Sequence, residues 1–273
     1  MSYIAPQDGN IRRKKRRVTD VLNRKGGQPL TALTCYDAAY ARILEKTDLD
    51  LILVGDSLGH VIQGLDSTLG VTIDDVAYHT RCVARSLKTP LLVSDLPFGS
   101  AGFSDERLFA DAEKLMRSGA EAVKIEGASE AVCRQIRRLV DQGVPVVGHI
   151  GLIPQSVHAL GGYKVQGRDE KAQQRLVTEA LRLEAAGCFS IVLELVNETA
   201  AQAVTAAVQI PTIGIGSGNQ CDGQILVLHD MLGLNAEFKP KFLKHFAQLE
   251  ELVVKAVADY CSEVSDRTFP AVK

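Results

Sequence analysis

Eight short apolar runs, each followed by a break or a helical segment, constrain this chain more than any other feature. The runs are 30–34, 51–54, 90–93, 122–126, 144–147, 189–193, 211–215 and, less distinctly, 224–228, which reads equally as a strand or a short helix. Between them, 36–45, 73–86, 107–118, 130–142, 170–186 and 199–208 carry apolar residues at helical spacing. Asp37 and Ser104 stand where an N-cap is needed, and Gly119, Gly143 and Gly187 stand at the stops. Such alternation means parallel strands joined by crossover helices. Eight units predict an α/β fold with a single closed (β/α)8 TIM barrel, which takes about 250 residues; the chain has 273. No GxGxxG follows the first strand, and Gly214-Ile-Gly-Ser-Gly218 follows the seventh without opening a clear helix. The expected division is residues 1–29, a basic N-terminal helix and lead-in, and residues 30–273, the barrel with a closing helix over 241–264. Leu252, Val253, Ala256, Val257 and Tyr260 form an apolar stripe on that last helix.

Composition excludes several classes of function. A net charge of −2 argues against a general nucleic-acid or membrane-surface role. The run Arg12-Arg-Lys-Lys-Arg-Arg17 reads as the solvated face of a helix reaching about Asn23, and no apolar segment follows it to make a secretory signal. Cys35, Cys82, Cys133, Cys188, Cys221 and Cys261 are scattered, as reduced thiols in a cytoplasmic protein would be, with no spacing for zinc. No run approaches the ~20 apolar residues a membrane span requires. With no such signal, the sequon at Asn197-Glu-Thr199 reads as chance.

Charge in the fourth run points to a site. Lys124 and Glu126 lie two apart on one strand and so share a face. A buried parallel strand is apolar on both faces unless it lines a polar cavity; the plainer reading is an exposed ion pair. Barrel enzymes place their chemistry at the C-terminal ends of the strands. Those positions hold Asp56, Asp95, Glu126 with Lys124, His149 and Glu194. One such acid is ordinary as a helix cap. Acids at four of five successive strands would converge at the barrel mouth, where their repulsion demands a cation. Oxygen ligands without a His or Cys cluster suit Mg²⁺. A 2-oxo acid, with two adjacent oxygens, would complete the shell; Lys124 would neutralise its carboxylate. Glu194, flanked by Ile191, Val192, Leu193, Leu195 and Val196, has the surroundings that raise a carboxyl pKa toward neutrality, as removal of a carbon-bound proton requires. His149 could bond the substrate, orient a carboxylate or be structural.

Six motifs then become specific: Val54-Gly-Asp-Ser-Leu-Gly59, Ser94-Asp-Leu-Pro-Phe98, Val123-Lys-Ile-Glu-Gly127, Gly148-His-Ile-Gly-Leu152 with Pro154-Gln155, Gly161-Gly-Tyr-Lys-Val-Gln-Gly167 and Asp222-Gly-Gln-Ile-Leu226. Together, from about Leu30 to Phe246, they resemble the ketopantoate hydroxymethyltransferase family. The resemblance implies transfer of a hydroxymethyl group from 5,10-methylenetetrahydrofolate to 3-methyl-2-oxobutanoate, giving 2-dehydropantoate on the route to pantothenate. It implies Asp56 and Asp95 as Mg²⁺ ligands with Glu126 completing the shell, Ser57, Asp95 and Lys124 as keto-acid contacts, and Glu194 as proton acceptor. It also implies a homo-oligomer, decameric in the well-known cases. Folate contacts are left open, with residues 163–168 and the loop at Asn219 as candidates. Three other readings compete. A Mg²⁺-dependent lyase or mutase of the phosphoenolpyruvate-mutase-like barrels would carry a Lys-Cys-Gly-His motif, whereas here Val147 precedes Gly148-His149. A Schiff-base aldolase would use Lys124, and a non-catalytic barrel would bind a phosphorylated effector through residues 214–219.

Overall fold

The computed structural model describes residues 13–156, 162, 164–235 and 237–271. Eight strands, each paired in parallel with the next and the last with the first, close a barrel. They are β1 (Leu30–Thr34), β2 (Leu51–Val54), β3 (Leu91–Asp95), β4 (Ala122–Glu126), β5 (Val146–Gly151), β6 (Ser190–Glu194), β7 (Thr212–Ile215) and β8 (Gly223–Leu226). The ambiguous eighth run is therefore a strand, closed onto β1 by the pairs from Leu30 with Gly223 to Leu33 with Leu226.

Two apolar layers follow from side-chain alternation. Leu30, Ala32, Leu51, Leu91, Val93, Ala122, Val147, Val192, Ile213 and Ile225 fill the barrel interior. The other parity, with Ile52, Leu92, Val123, Ile125, Val146, Ile191 and Leu193, packs against the helices. Those helices include α1 (Val18–Leu22), α2 (Ala38–Leu44), α3 (Leu58–Val61), α4 (Ile73–Ala84), α5 (Asp105–Arg117), α6 (Glu130–Asp141), α7 (Glu170–Ala185), α8 (Glu198–Ala207), α9 (Leu228–Met231) and α10 (Leu249–Ser265). Side-chain caps set several of their starts: Asp37 accepts from the Ala39 and Tyr40 amides, Ser104 from Arg107, Asp169 from Ala172 and Asn197 from Thr199. Asn197 thus serves as a helix cap.

The two ends of the chain differ from expectation. The basic run is not the face of a helix: Arg13–Arg17 are non-helical, and α1 is only five residues long. Four of its charges, Arg13 to Arg16, pair with acids instead. Arg16 and Arg24 pair with Asp50 at 3.1 and 2.9 Å, Lys15 with Glu121 at 2.5 Å, Lys14 with Asp20 at 3.3 Å and Arg13 with Asp48 at 3.6 Å. Asp50 is buried and also accepts the Thr31 amide at 3.0 Å, so the arm is stitched under β1 and β2. Arg12 lies outside the described residues. At the other end, the helix begins at Leu249 instead of Lys241. The Phe246, Leu249 and Glu250 amides donate to the carbonyls of Met231, Leu232 and Gly233, which draws the preceding segment out of helical geometry.

Candidate active site

Strand parity places the charges of the sequence inside the barrel. Asp95 follows Val93 by two, Lys124 and Glu126 follow Ala122 by two and four, His149 follows Val147 and Glu194 follows Val192. Each therefore stands above an apolar interior residue. The parallel register then sets Asp95 beside Lys124 and Glu126 beside His149. Asp56 and Ser57 come from the turn after β2, and the Asp56 amide donates to Asp95 Oδ2 at 3.4 Å.

The cluster is buried: Asp95 and His149 are 1% exposed, Asp56 and Lys124 5%. Lys124 Nζ donates to Asp95 Oδ2 at 2.6 Å and to Glu126 Oε1 at 3.4 Å. Burial works against the ammonium charge, but Asp95, Glu126 and Asp56 outweigh it and hold the lysine above its ordinary range. Burial likewise opposes ionisation of Glu126, yet Lys124 and His149 pull it down to about 2. Asp56 is pushed well above the usual carboxylate range by burial and then by the Asp95 and Glu126 charges. Burial also raises Asp95, although Lys124 opposes it. Three buried acids thus share one lysine, and burial together with their mutual repulsion makes Asp56 and Asp95 harder to ionise than free carboxyls.

That crowding of acids, and one orphaned atom, show that the residues fit a cation. Ligand atoms of Asp56, Asp95 and Glu126 lie within 4.8 Å of one another. Asp95 Oδ1 is buried without a hydrogen-bond partner. A buried carboxylate oxygen left unpaired is costly unless a ligand completes it. An all-oxygen donor set of this kind suits a hard divalent ion.

Glu194 is set apart. Its side chain is 22% exposed, more open than the acids beneath it, and burial raises its pKa to about 7, with His149 opposing. His149 bridges the two regions, with Nδ1 3.1 Å from Glu126 Oε1 and Nε2 3.5 Å from Glu194 Oε2. Strain fixes the strand end. Leu195 has φ 45°, a conformation that costs a non-glycine residue roughly 1–2 kcal/mol. Gly151 pairs directly with Glu194, and a Cβ there would meet the Glu194 carbonyl oxygen at 2.4 Å. The Ser217 hydroxyl donates to the Leu193 carbonyl at 2.7 Å and accepts from the Val196 amide at 3.0 Å, so the loop after β7 buttresses β6.

All seven residues singled out from the sequence lie at this mouth. Two polar partners were not foreseen. The Tyr36 hydroxyl is 2.7 Å from Ser57 Oγ, and Tyr36 is itself buried. Gln155 Nε2 donates to Asp56 Oδ2 and to the Leu96 carbonyl, both at 3.0 Å. Each sits in a strand-end loop without a charge to draw notice. Of the segment 161–168, Gly161 and Tyr163 lie outside the described residues, while Gln166 bridges in parallel to Val196.

A family model described as ketopantoate hydroxymethyltransferase matches residues 15–272. Curated relatives named 3-methyl-2-oxobutanoate hydroxymethyltransferase include that of Thermosipho africanus, 47% identical with 93% of this chain and 96% of the relative covered. Those of Magnetococcus marinus (47%; 94% and 97%) and Leptospira interrogans (48%; 90% and 94%) are similar. Among solved structures, phosphonopyruvate hydrolase has a TM-score of 0.62 at 12% identity, covering 94% of this chain and 90% of that one. Phosphoenolpyruvate phosphomutase from Streptomyces platensis has a TM-score of 0.62 at 12% identity, covering 92% and 88%. At such identities the likeness is one of fold.

Proposed function

The chain belongs to the ketopantoate hydroxymethyltransferase family, and from that premise we propose that it binds 3-methyl-2-oxobutanoate on Mg²⁺ at the strand ends and takes its one-carbon unit from 5,10-methylenetetrahydrofolate. It is a hydroxymethyltransferase, and its product is 2-dehydropantoate. The observation that carries the site assignment is the buried trio Asp56, Asp95 and Glu126 with its orphaned oxygen.

Asp56 and Asp95 would hold the cation, with Glu126 completing the shell. The bound cation would supply Lewis acidity at the keto oxygen, acidifying the adjacent C–H bond. Lys124 stays an ammonium between Asp95 and Glu126 and offers a fixed positive charge to the substrate carboxylate. The same raised pKa makes it a poor Schiff-base nucleophile, which requires the neutral amine. Ser57 adds a hydroxyl to the keto-acid site. Glu194 has the basicity and the access to accept the C3 proton. His149, beside Glu194, orients the pair of glutamates. Water cleaves both C–N bonds of the methylene bridge to give formaldehyde and tetrahydrofolate, and the C3 carbanion equivalent adds to the formaldehyde carbon, whose oxygen takes up a proton to become the hydroxymethyl group.

Residues 30–273 would form one catalytic domain and residues 1–29 its lead-in, of which 13–29 close the barrel floor. The protein would lie in the cytoplasm; no described helix is long and apolar enough to cross a membrane. It would form a homo-oligomer, a decamer by family resemblance. Support comes from α10, where Leu252, Val253, Val257 and Tyr260 are 60, 48, 55 and 56% exposed, an apolar stripe that a second copy would cover. Product analysis with 3-methyl-2-oxobutanoate and methylenetetrahydrofolate, with and without chelator, tests the reaction. Dehydropantoate formed only without chelator is expected; equal product in both arms contradicts the metal assignment.

A further inference from the structure

We propose that Gln155 is a positioning residue for the cation: its amide sets the geometry, and hence the affinity, of the acid cluster. The inference rests on the metal-binding reading above and assigns a role to a residue that does not itself belong to the carboxylate trio.

Gln155 lies in the short 3-10 turn Pro154–Ser156 that follows β5. From there it reaches the ends of three neighbouring strands. Its Nε2 donates to Asp56 Oδ2, beyond β2, and to the carbonyl of Leu96, just past β3, each at 3.0 Å. Its backbone amide donates to Glu126 Oε2, at the end of β4, at 3.3 Å. Nε2 faces two acceptors, so the amide orientation follows from the network. The Leu96 carbonyl is an anchor that cannot rotate, being held in the backbone next to Asp95. Through it, Gln155 fixes where Asp56 sits relative to Asp95.

The residue type suits this task. Carboxylate ligands need outer hydrogen bonds to hold one rotamer, and removing such a partner weakens metal binding roughly 10–100-fold. A lysine or arginine would donate equally well, but its charge would compete with the cation. An amide donates two N–H bonds with no charge. The plainer role, a strap tying the loop after β5 to the barrel mouth, would affect folding alone.

Mn²⁺ titration of the metal-stripped full-length protein, read by the EPR signal of free Mn²⁺, separates these roles. Four proteins are compared: wild type, Gln155→Leu, Gln155→Asn and Asp95→Asn. The expected result is that Gln155→Leu weakens Mn²⁺ binding by roughly 10–100-fold while the metal-free melting temperature stays close to that of wild type. Gln155→Asn, one methylene too short to span Asp56 and Leu96, should weaken it as well, and carries the test should the leucine variant fold poorly. Wild-type affinity in both Gln155 variants, with Asp95→Asn defective, overturns the inference and leaves the metal site standing. Wild-type affinity in Asp95→Asn overturns the metal site, and the inference with it. A lowered metal-free melting temperature with unchanged affinity assigns Gln155 to the strap role.

Discussion

Glu194 is the residue on which the proposed proton transfer turns, and its environment makes a directional prediction. Burial raises its pKa to about 7, and only the ionised form accepts a proton. Exchange of the C3 hydrogen of the keto acid should therefore rise with pH, about tenfold per unit below 7, and level off above it. A flat profile between pH 5 and 8 would contradict this assignment. Glu194→Gln should abolish exchange while leaving Mn²⁺ and keto-acid binding intact, as titration calorimetry can check. Asp56→Asn should instead lose the metal-dependent part of keto-acid binding; unchanged Mg²⁺ affinity would argue against its role. The gathering of these acids at the mouth was legible in the sequence because acids recur at four of five successive strand ends, whereas one alone is ordinary as a helix cap. Tyr36 and Gln155 were not, because a neutral side chain in a loop reveals its partner only once the strands are side by side.

At the scale of elements, β5 and β6 hold Glu194 in place by close contact. Gly151 has φ 101° and sits where a Cβ would strike the Glu194 carbonyl, while Leu195 is bent into the left-handed region. Gly151→Ala should cost about 1–3 kcal/mol of stability in overpacking alone. It should also depress C3 exchange, because relief of the clash requires β6 to move. Thermal unfolding alongside exchange rates checks both; an active and fully stable variant would show that the strand ends are looser than described. Strand and helix existence could be read from periodicity, but the element boundaries at both ends could not. The basic run lost its helix to Asp50, Glu121 and other acids far along the chain. The final helix lost its first turns to carbonyls after α9. In both cases, long-range partners outweighed local preference.

For the whole molecule, eightfold alternation predicted the closed barrel; neighbouring β2, β3 and β4 supply the acid trio, and closure puts the end of β6 at the same mouth. The exposed apolar face of α10 is where the proposed homo-oligomer would be sealed. Replacing Leu252 and Val257 with lysine should reduce the mass measured by sedimentation; an unchanged mass would place the subunit interface elsewhere. The central claim is narrower, that Asp56, Asp95 and Glu126 gather a divalent cation which activates the C–H bond facing Glu194. Deuterium incorporation at C3 of 3-methyl-2-oxobutanoate, followed by proton NMR without folate, tests it most directly. Exchange that requires Mg²⁺, stops with chelator and is absent in Glu194→Gln is the predicted result; exchange indifferent to chelator, or undiminished in Glu194→Gln, would contradict it.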